Sequence, residues 1–136
     1  MPPWFNGFQT YLERKEPAMP HLRLEYTANV PQKVDFDALF SELHHTLANV
    51  GGASLGNCKG RAFRLDDYFV ADGQAAVAFV HLDVRVLEGR SDEWKQTVGA
   101  ALMNVLKAHY TPSGVGPAVQ LTLEIQDIHK SAYFKT

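Results

Sequence analysis

The sequence is poor in the residues that build covalent and membrane frameworks. Cys58 is its single cysteine among 136 residues, so no internal disulfide can form and no zinc site can be built from several thiolates. No apolar run approaches the roughly 18 residues that a membrane span needs. The N-terminus lacks the apolar stretch of a secretory signal. These absences predict a cytoplasmic protein with no membrane partner.

An excess of charge of one sign is also lacking. The chain has 13 basic and 15 acidic residues and a net charge of −2. Nucleic-acid binding calls for a clustered basic excess, so we expect no nucleic-acid partner. With 46% hydrophobic residues and the length of one ordinary domain, the chain can bury a core.

Residues 1–19 differ in pattern from the rest of the chain and are interpreted as an N-terminal extension. Aromatic residues between Trp4 and Leu12 are compatible with a short amphipathic turn, which Pro17 and Pro20 discourage from continuing. The remaining residues, 20–136, are predicted to form the folded domain.

Hydrophobic periodicity in this domain alternates between the period of strands and that of helices. A helix over 36–50 begins after a capping Asp35 and ends at Gly51 as its C′ residue, and a second helix begins after Ser91. Residues 52–60 are expected to form a loop. The predicted strands are His21–Tyr26, 61–70 (with a hairpin as an option), Ala76–Leu87 and 119–126.

This order is a strand–helix–strand unit repeated in tandem, and such units favour parallel pairing within each unit. The predicted fold is α+β (an α/β two-layer sandwich), with a four-stranded mixed sheet and two helices on one face. The other face of the sheet stays uncovered, so we expect a homo-oligomer.

Three stretches carry a resemblance to a known family. MPHLRLEYTANV, ADGQAAVAFVHLDVRVLEGRSDEWKQ and LTLEIQDIHKSAYFK resemble the 5-carboxymethyl-2-hydroxymuconate Δ-isomerases of the tautomerase superfamily. The resemblance implies a tautomerase-like homotrimer that isomerises unsaturated 2-hydroxy or 2-oxo polycarboxylates in aromatic-acid catabolism, without cofactor or metal.

The resemblance also implies a site. Pro20 corresponds to the family's N-terminal proline, which acts as general base and acid after the initiator Met is removed. A chain-end amine titrates near ~8 and nearby cations lower that value, which gives a free base near neutral pH. Arg90, Lys59 and Arg61 fall at family positions that hold substrate carboxylates. Lys59 stands where the family has an arginine, so it keeps the charge but loses the bidentate fork.

His21 is next to Pro20 in the chain and is a further candidate for substrate contact. Other histidines offer no metal site, because His44 and His45 point about 100° apart on a helix of 3.6 residues per turn. These residues therefore predict no metal site, and the absence of a cofactor is what the resemblance implies.

An internal Pro20 nitrogen is a tertiary amide without a basic lone pair, which leaves three interpretations. In the first, the natural chain starts at Met19; Lys15-Glu16 can be encoded by AAG GAG, a purine-rich sequence of the kind ribosomes bind. In the second, the extension is genuine and the protein is a non-catalytic trimeric ligand-binding or interaction module. In the third, Pro2 becomes the terminal base.

Overall fold

The computed structural model describes residues 18–112 and 114–136, so the predicted turn at Trp4–Leu12 lies outside the described residues. Two short 3-10 turns, Leu55–Asn57 and Lys130–Ala132, accompany the regular elements. Those elements are β1 (His21–Thr27), α1 (Phe36–Gly51), β2 (Lys59–Leu65), β3 (Val77–Leu87), α2 (Asp92–His109) and β4 (Ala118–Ile128).

The four strands form one mixed sheet in the order β2-β1-β3-β4. Within each strand–helix–strand unit the pairing is parallel, between β1 and β2 and between β3 and β4. The two units meet through the antiparallel pair of β1 and β3. The tandem arrangement predicted from the hydrophobic pattern is confirmed.

The core lies between the sheet and the two helices. Alternate residues of β3 are fully buried, whereas His81, Asp83 and Arg85 of the same strand lie on the opposite, partly exposed face. The helices bury residues at spacings of three and four, which is the periodicity of one helical face. The buried side chains include Val80, Leu82, Val84, Leu39, Leu43, Leu47, Val98, Leu102 and Leu106.

Both predicted helix starts are confirmed, and one predicted helix end is wrong. The Asp35 carboxylate accepts the Ala38 N–H at 3.2 Å, and the Ser91 hydroxyl accepts the Trp94 N–H at 3.0 Å. Helix α1 includes Gly51, and Gly52 is the C-cap residue with φ 71°. Two consecutive glycines can both adopt this left-handed conformation, so the local sequence did not distinguish them.

The second predicted strand is shifted. It covers Lys59–Leu65 rather than 61–70, and it pairs in parallel with β1 rather than in a hairpin. Nearly every β2 side chain is exposed, so the strand lacks the buried–exposed alternation by which strands are recognised. A turn forms at Asp72-Gly73, with the Gly73 N–H donating to the Val70 carbonyl at 2.8 Å.

The start of β1 and the C-terminal segment lie at the same end of the sheet. His21 pairs with Lys59 at the starts of β1 and β2 and with Arg85 near the end of β3. Leu87 pairs with Ile128 at the ends of β3 and β4. This end of the sheet therefore collects the residues next to Pro20 together with the C-terminal segment.

Candidate active site

Pro20 is buried, and backbone hydrogen bonds hold the chain on both sides of its ring nitrogen. Its carbonyl accepts the N–H of Lys59 at 3.1 Å, and the carbonyl of Ala18 accepts the N–H of Leu87 at 2.7 Å. Pro20 thus lies between the start of β2 and the end of β3, and its position is fixed by the sheet itself.

Cationic residues flank His21, the residue after Pro20, on the uncovered face of the sheet. The register places Lys59 and Arg85 beside His21, and Arg61 Nη2 lies 3.0 Å from His21 Nδ1. Of these cations, Arg85 is paired with Asp83, at 3.4 Å between Nε and Oδ2. The structure therefore brings together four of the five predicted site residues, in surroundings suited to carboxylate groups.

Arg90, the fifth predicted residue, lies at the same end of the sheet but beside the helical layer. It comes after β3 and precedes the Ser91 cap of α2. Its guanidinium carbon lies 5.6 Å from the centroid of the Trp94 ring, within the range of a cation–π contact. Arg90 thus stacks on a side chain of α2, whereas the other four predicted residues lie on or next to the sheet.

His21 has two hydrogen-bond partners that no sequence pattern predicted together. Its Nδ1 faces Arg61, and its Nε2 lies 2.8 Å from the hydroxyl of Tyr133. Burial is the largest cause that lowers the pKa of His21, and the positive charges of Arg61, Lys59 and Arg85 lower it further. The imidazole is therefore neutral at neutral pH.

Met19 fills a buried space next to Pro20. It is only 4% exposed, and its φ of 48° lies in the left-handed region that non-glycine residues adopt rarely. The Nζ of Lys135 lies 4.0 Å from the Met19 sulfur and 3.0 Å from Asn57 Oδ1. An ammonium from the C-terminal segment therefore borders the space that Met19 occupies.

Tyr133, Lys135 and Asn57 are the residues at this site that sequence reasoning missed. The C-terminal segment is attached to the end of the sheet by the Lys130 N–H, which donates to Glu88 Oε1 at 2.9 Å. A topological signal was present: in a tandem β-α-β fold, the chain leaves its last strand at the end of the sheet where the first strand begins. Residues after β4 could thus have been expected near Pro20, although no spacing rule selects which ones.

The described residues supply no cluster for a metal. Within 18–112 and 114–136, no three histidine, cysteine or acidic side chains converge as ligands. Burial raises the pKa of the Cys58 thiol more than the charge of Lys59 lowers it, which disfavours a reactive thiolate. No described helix is long and apolar enough to cross a membrane.

Comparison with known proteins gives a family match over residues 20–136, to the model of 5-carboxymethyl-2-hydroxymuconate isomerase. The chain is 32% identical over 117 residues to the 5-carboxymethyl-2-hydroxymuconate Delta-isomerase of Escherichia coli, and the match covers 86% of this chain and 93% of that relative. The region matched by the family model begins at Pro20.

Solved structures show the same fold. A 5-carboxymethyl-2-hydroxymuconate isomerase from Deinococcus radiodurans R1 is 35% identical with a TM-score of 0.78, covering 88% of this chain and 90% of that one. A protein described as a fused 4-OT wild type symmetric trimer is 21% identical with a TM-score of 0.60, covering 82% of this chain and 87% of that one. The tautomerase-like fold is thereby confirmed.

Proposed function

The chain belongs to the 5-carboxymethyl-2-hydroxymuconate isomerase family and is an isomerase, and on that premise we propose that it isomerises 5-carboxymethyl-2-hydroxymuconate or a closely related unsaturated polycarboxylate, with Pro20 as the base. The observation that carries the proposal is the position of Pro20. Backbone hydrogen bonds to the start of β2 and the end of β3 fix this position, and cationic residues lie beside the next residue, His21.

The chemistry is a proton transfer that needs no other reactant. The secondary amine of an N-terminal Pro20 accepts the proton of the 2-hydroxyl group, which breaks the O–H bond and leaves a dienolate. The resulting ammonium delivers that proton to a carbon of the conjugated chain, where a C–H bond forms, so the product is a 2-oxo acid with the composition of the substrate. Neighbouring cations disfavour the ammonium and keep the amine available as a base near neutral pH.

The cations of the site hold the charged groups of the substrate. Lys59 and Arg61 lie on β2 next to His21, where they can bind carboxylates and oppose the negative charge of the dienolate. Arg90 lies just before the start of α2, against Trp94, and is proposed to bind a second carboxylate. His21, neutral between Arg61 and Tyr133, serves as a hydrogen-bonding group rather than as a further charge.

The proposal requires that the active chain begin at Pro20. The family match that begins at this residue supports that start. In the longer chain, Pro20 is an amide and the Met19 side chain fills the adjacent space. Removal of residues 1–19 converts the Pro20 amide into a free amine and also empties the space that Met19 occupies. The active chain then consists of the domain alone, residues 20–136.

The second candidate is a non-catalytic ligand-binding or interaction module in which the extension is retained. The burial of Ala18 and Met19 against the domain favours it, because retained residues that pack well would cover Pro20 permanently. Both candidates share a proposed cytoplasmic location and a proposed homotrimer. The trimer is supported by the uncovered sheet face, which carries the side chains of His81, Asp83 and Arg85.

The test compares two chains, one starting at Met1 and one starting at Met19, each checked by intact mass. We expect the second to lose Met19 and to isomerise 5-carboxymethyl-2-hydroxymuconate, monitored by its ultraviolet absorbance, and the first to be inactive. In the Pro20-start chain, Pro20→Ala should reduce kcat roughly 100-fold, whereas Pro112→Ala, an exposed proline, should not. Full activity of the Met1-start chain at its intact mass contradicts the proposal.

A further inference from the structure

We propose that Tyr133 is a further catalytic group of this site, whose hydroxyl donates a hydrogen bond to the 2-oxygen of the bound 2-oxo or 2-hydroxy acid. The inference rests on the proposed function and extends it to a residue of the C-terminal segment. It starts from the His21 imidazole, which lies between Arg61 and Tyr133.

Arg61 determines which His21 nitrogen carries the proton. A guanidinium has donors only and does not lose its proton in proteins. With Arg61 Nη2 at 3.0 Å from His21 Nδ1, Nδ1 must accept, so it carries no hydrogen. The hydrogen of the neutral ring is then on Nε2, and this nitrogen donates to the Tyr133 oxygen at 2.8 Å. Burial and the nearby cations, which lower the pKa of His21, favour the same neutral form.

The direction of these bonds also determines the orientation of the Tyr133 hydroxyl. Its oxygen already accepts from His21, so its own hydrogen must point to another acceptor. Among residues 18–112 and 114–136, His21 is the one hydrogen-bond partner that the structure gives this oxygen. The Tyr133 ring packs edge-on against the imidazole, with centroids 5.8 Å apart and planes at 69°. The phenol is thus a positioned donor without a described acceptor.

The three groups form a chain of donors in one direction. Arg61 donates to His21, His21 donates to Tyr133, and Tyr133 is left to donate outward. A chain of this kind begins on a cation and polarises each bond in turn, so its last donor is suited to an oxygen that carries developing negative charge. In the proposed reaction that oxygen is the 2-oxygen of the dienolate. No bond to hydrogen is broken at Tyr133.

The position of Tyr133 suits this role. It contacts the side chain of the residue directly after Pro20, and Lys59 and Arg61 lie beside that same residue. Lys59 and Arg61 alone recognise any small polyanion. A neutral donor aimed at a keto or enol oxygen adds selectivity for 2-oxo and 2-hydroxy acids over plain dicarboxylates.

Tyr133→Phe in the Pro20-start chain removes the hydroxyl and keeps the ring, and Tyr68→Phe, at a partly exposed loop position, is the matched control. We expect Tyr133→Phe to lower kcat by roughly 10- to 100-fold with KM changed less than about threefold. Tyr68→Phe should match the parent in both constants. Equal kcat in the two variants overturns the proposal, as does a loss seen only in KM.

Binding separates this inference from the proposed function, because it needs no turnover. We expect Tyr133→Phe to weaken 2-oxoglutarate binding about two- to threefold, the lower end of what one neutral hydrogen bond contributes, and to leave the binding of glutarate, which lacks the 2-oxo group, unchanged. Equal effects on both probes, or none, overturn the role of Tyr133. In a further outcome, the parent chain lacks isomerase activity while Tyr133→Phe still weakens the binding of 2-oxoglutarate and not that of glutarate. This result would contradict the proposed isomerase function and leave Tyr133 as a ligand-binding group.

Nitrogen-15 spectra of the histidine rings test the orientation itself. The expected result is the tautomer of His21 with hydrogen on Nε2, in the parent and in Tyr133→Phe. A His21 signal with hydrogen on Nδ1 in the parent overturns the proposal, whatever the activity.

Discussion

Gly51 and Trp94 join the end of α1 to the start of α2. The indole N–H of Trp94 donates to the Gly51 carbonyl at 3.0 Å, and a Cβ placed on Gly51 would lie 2.9 Å from Cζ2 of the same ring. The missing side chain of Gly51 is what lets the indole lie against the helix. Since Arg90 stacks on Trp94, this contact also positions a candidate substrate-binding residue.

We therefore expect Gly51→Ala to destabilise the protein, against the usual direction of a glycine-to-alanine change in a helix. Gly99→Ala in α2 is the matched control, because its Cβ would meet the nearest atom, Ile125 Cδ1, at an ordinary 3.5 Å. Urea unfolding should show a loss of about 1–2 kcal/mol for the first change and a gain of up to about 1 kcal/mol for the second. A higher free energy of unfolding in Gly51→Ala would mean that the Trp94 indole shifts away from the added methyl group with no loss of stability.

The sequence predicts this fold well where one face of an element is buried. In β3, buried Val80 and Leu82 alternate with partly exposed Phe79 and His81, so the strand and its inward face could both be predicted. In β2 nearly every side chain is exposed, the alternation disappears, and the predicted bounds were wrong.

The candidate site divides in the same way. The family resemblance proposed Pro20, Lys59 and Arg61 as site residues. His21 was added as the chain neighbour of Pro20, and all four lie in or next to the paired strands β1 and β2. Tyr133 and Lys135 reach the site through long-range contacts with His21 and Asn57. Contacts of this kind depend on packing, which leaves no periodic signal in the sequence.

Tyr110 carries a buried hydroxyl for which the described part of the chain offers no hydrogen-bond partner. The residue is 3% exposed, and burial, together with Tyr26, raises the pKa of its phenol to about 12. A buried polar group without a partner costs stability.

Tyr110→Phe is therefore expected to raise the free energy of unfolding by about 1 kcal/mol, measured in urea. Tyr68→Phe, on the surface, should change it little. A clear loss of stability in Tyr110→Phe would show that the hydroxyl has a partner in solution.

The partly buried imidazole of His44 should make the stability of the protein depend on pH. Burial, and secondarily the charge of His45, lower the pKa of His44 below its ordinary 6.5. Between the lowered value and 6.5 the unfolded chain binds more protons than the folded one, so stability falls as the pH drops through this range. His21, whose pKa is also lowered, acts in the same direction.

His44→Gln removes the contribution of His44 alone. We expect the decrease in unfolding free energy from about pH 7 to about pH 5 to be smaller in this variant than in the parent. His129→Gln is the control, since the side chain of His129 is 77% exposed and lies 3.8 Å from Glu88 Oε2, an exposed pair of small energetic weight, and it should change the slope less than His44→Gln does. Identical slopes for His44→Gln and the parent would mean that His44 titrates normally in the folded protein.

The family resemblance implies an arginine at the position of Lys59, and this expectation can be tested by introducing the guanidinium. Lys59 opens β2 beside His21, where an arginine could bind one carboxylate through two parallel N–H donors instead of a single ammonium. In the Pro20-start chain, Lys59→Arg should lower KM for 5-carboxymethyl-2-hydroxymuconate about fivefold and change kcat less than about twofold, because a carboxylate contact is equally present before and during proton transfer. Lys107→Arg, exposed in the last turn of α2, should leave both constants as they are. A raised KM in Lys59→Arg would mean that the site suits an ammonium at this position better than a guanidinium, which would contradict the binding of a substrate carboxylate there through two N–H donors.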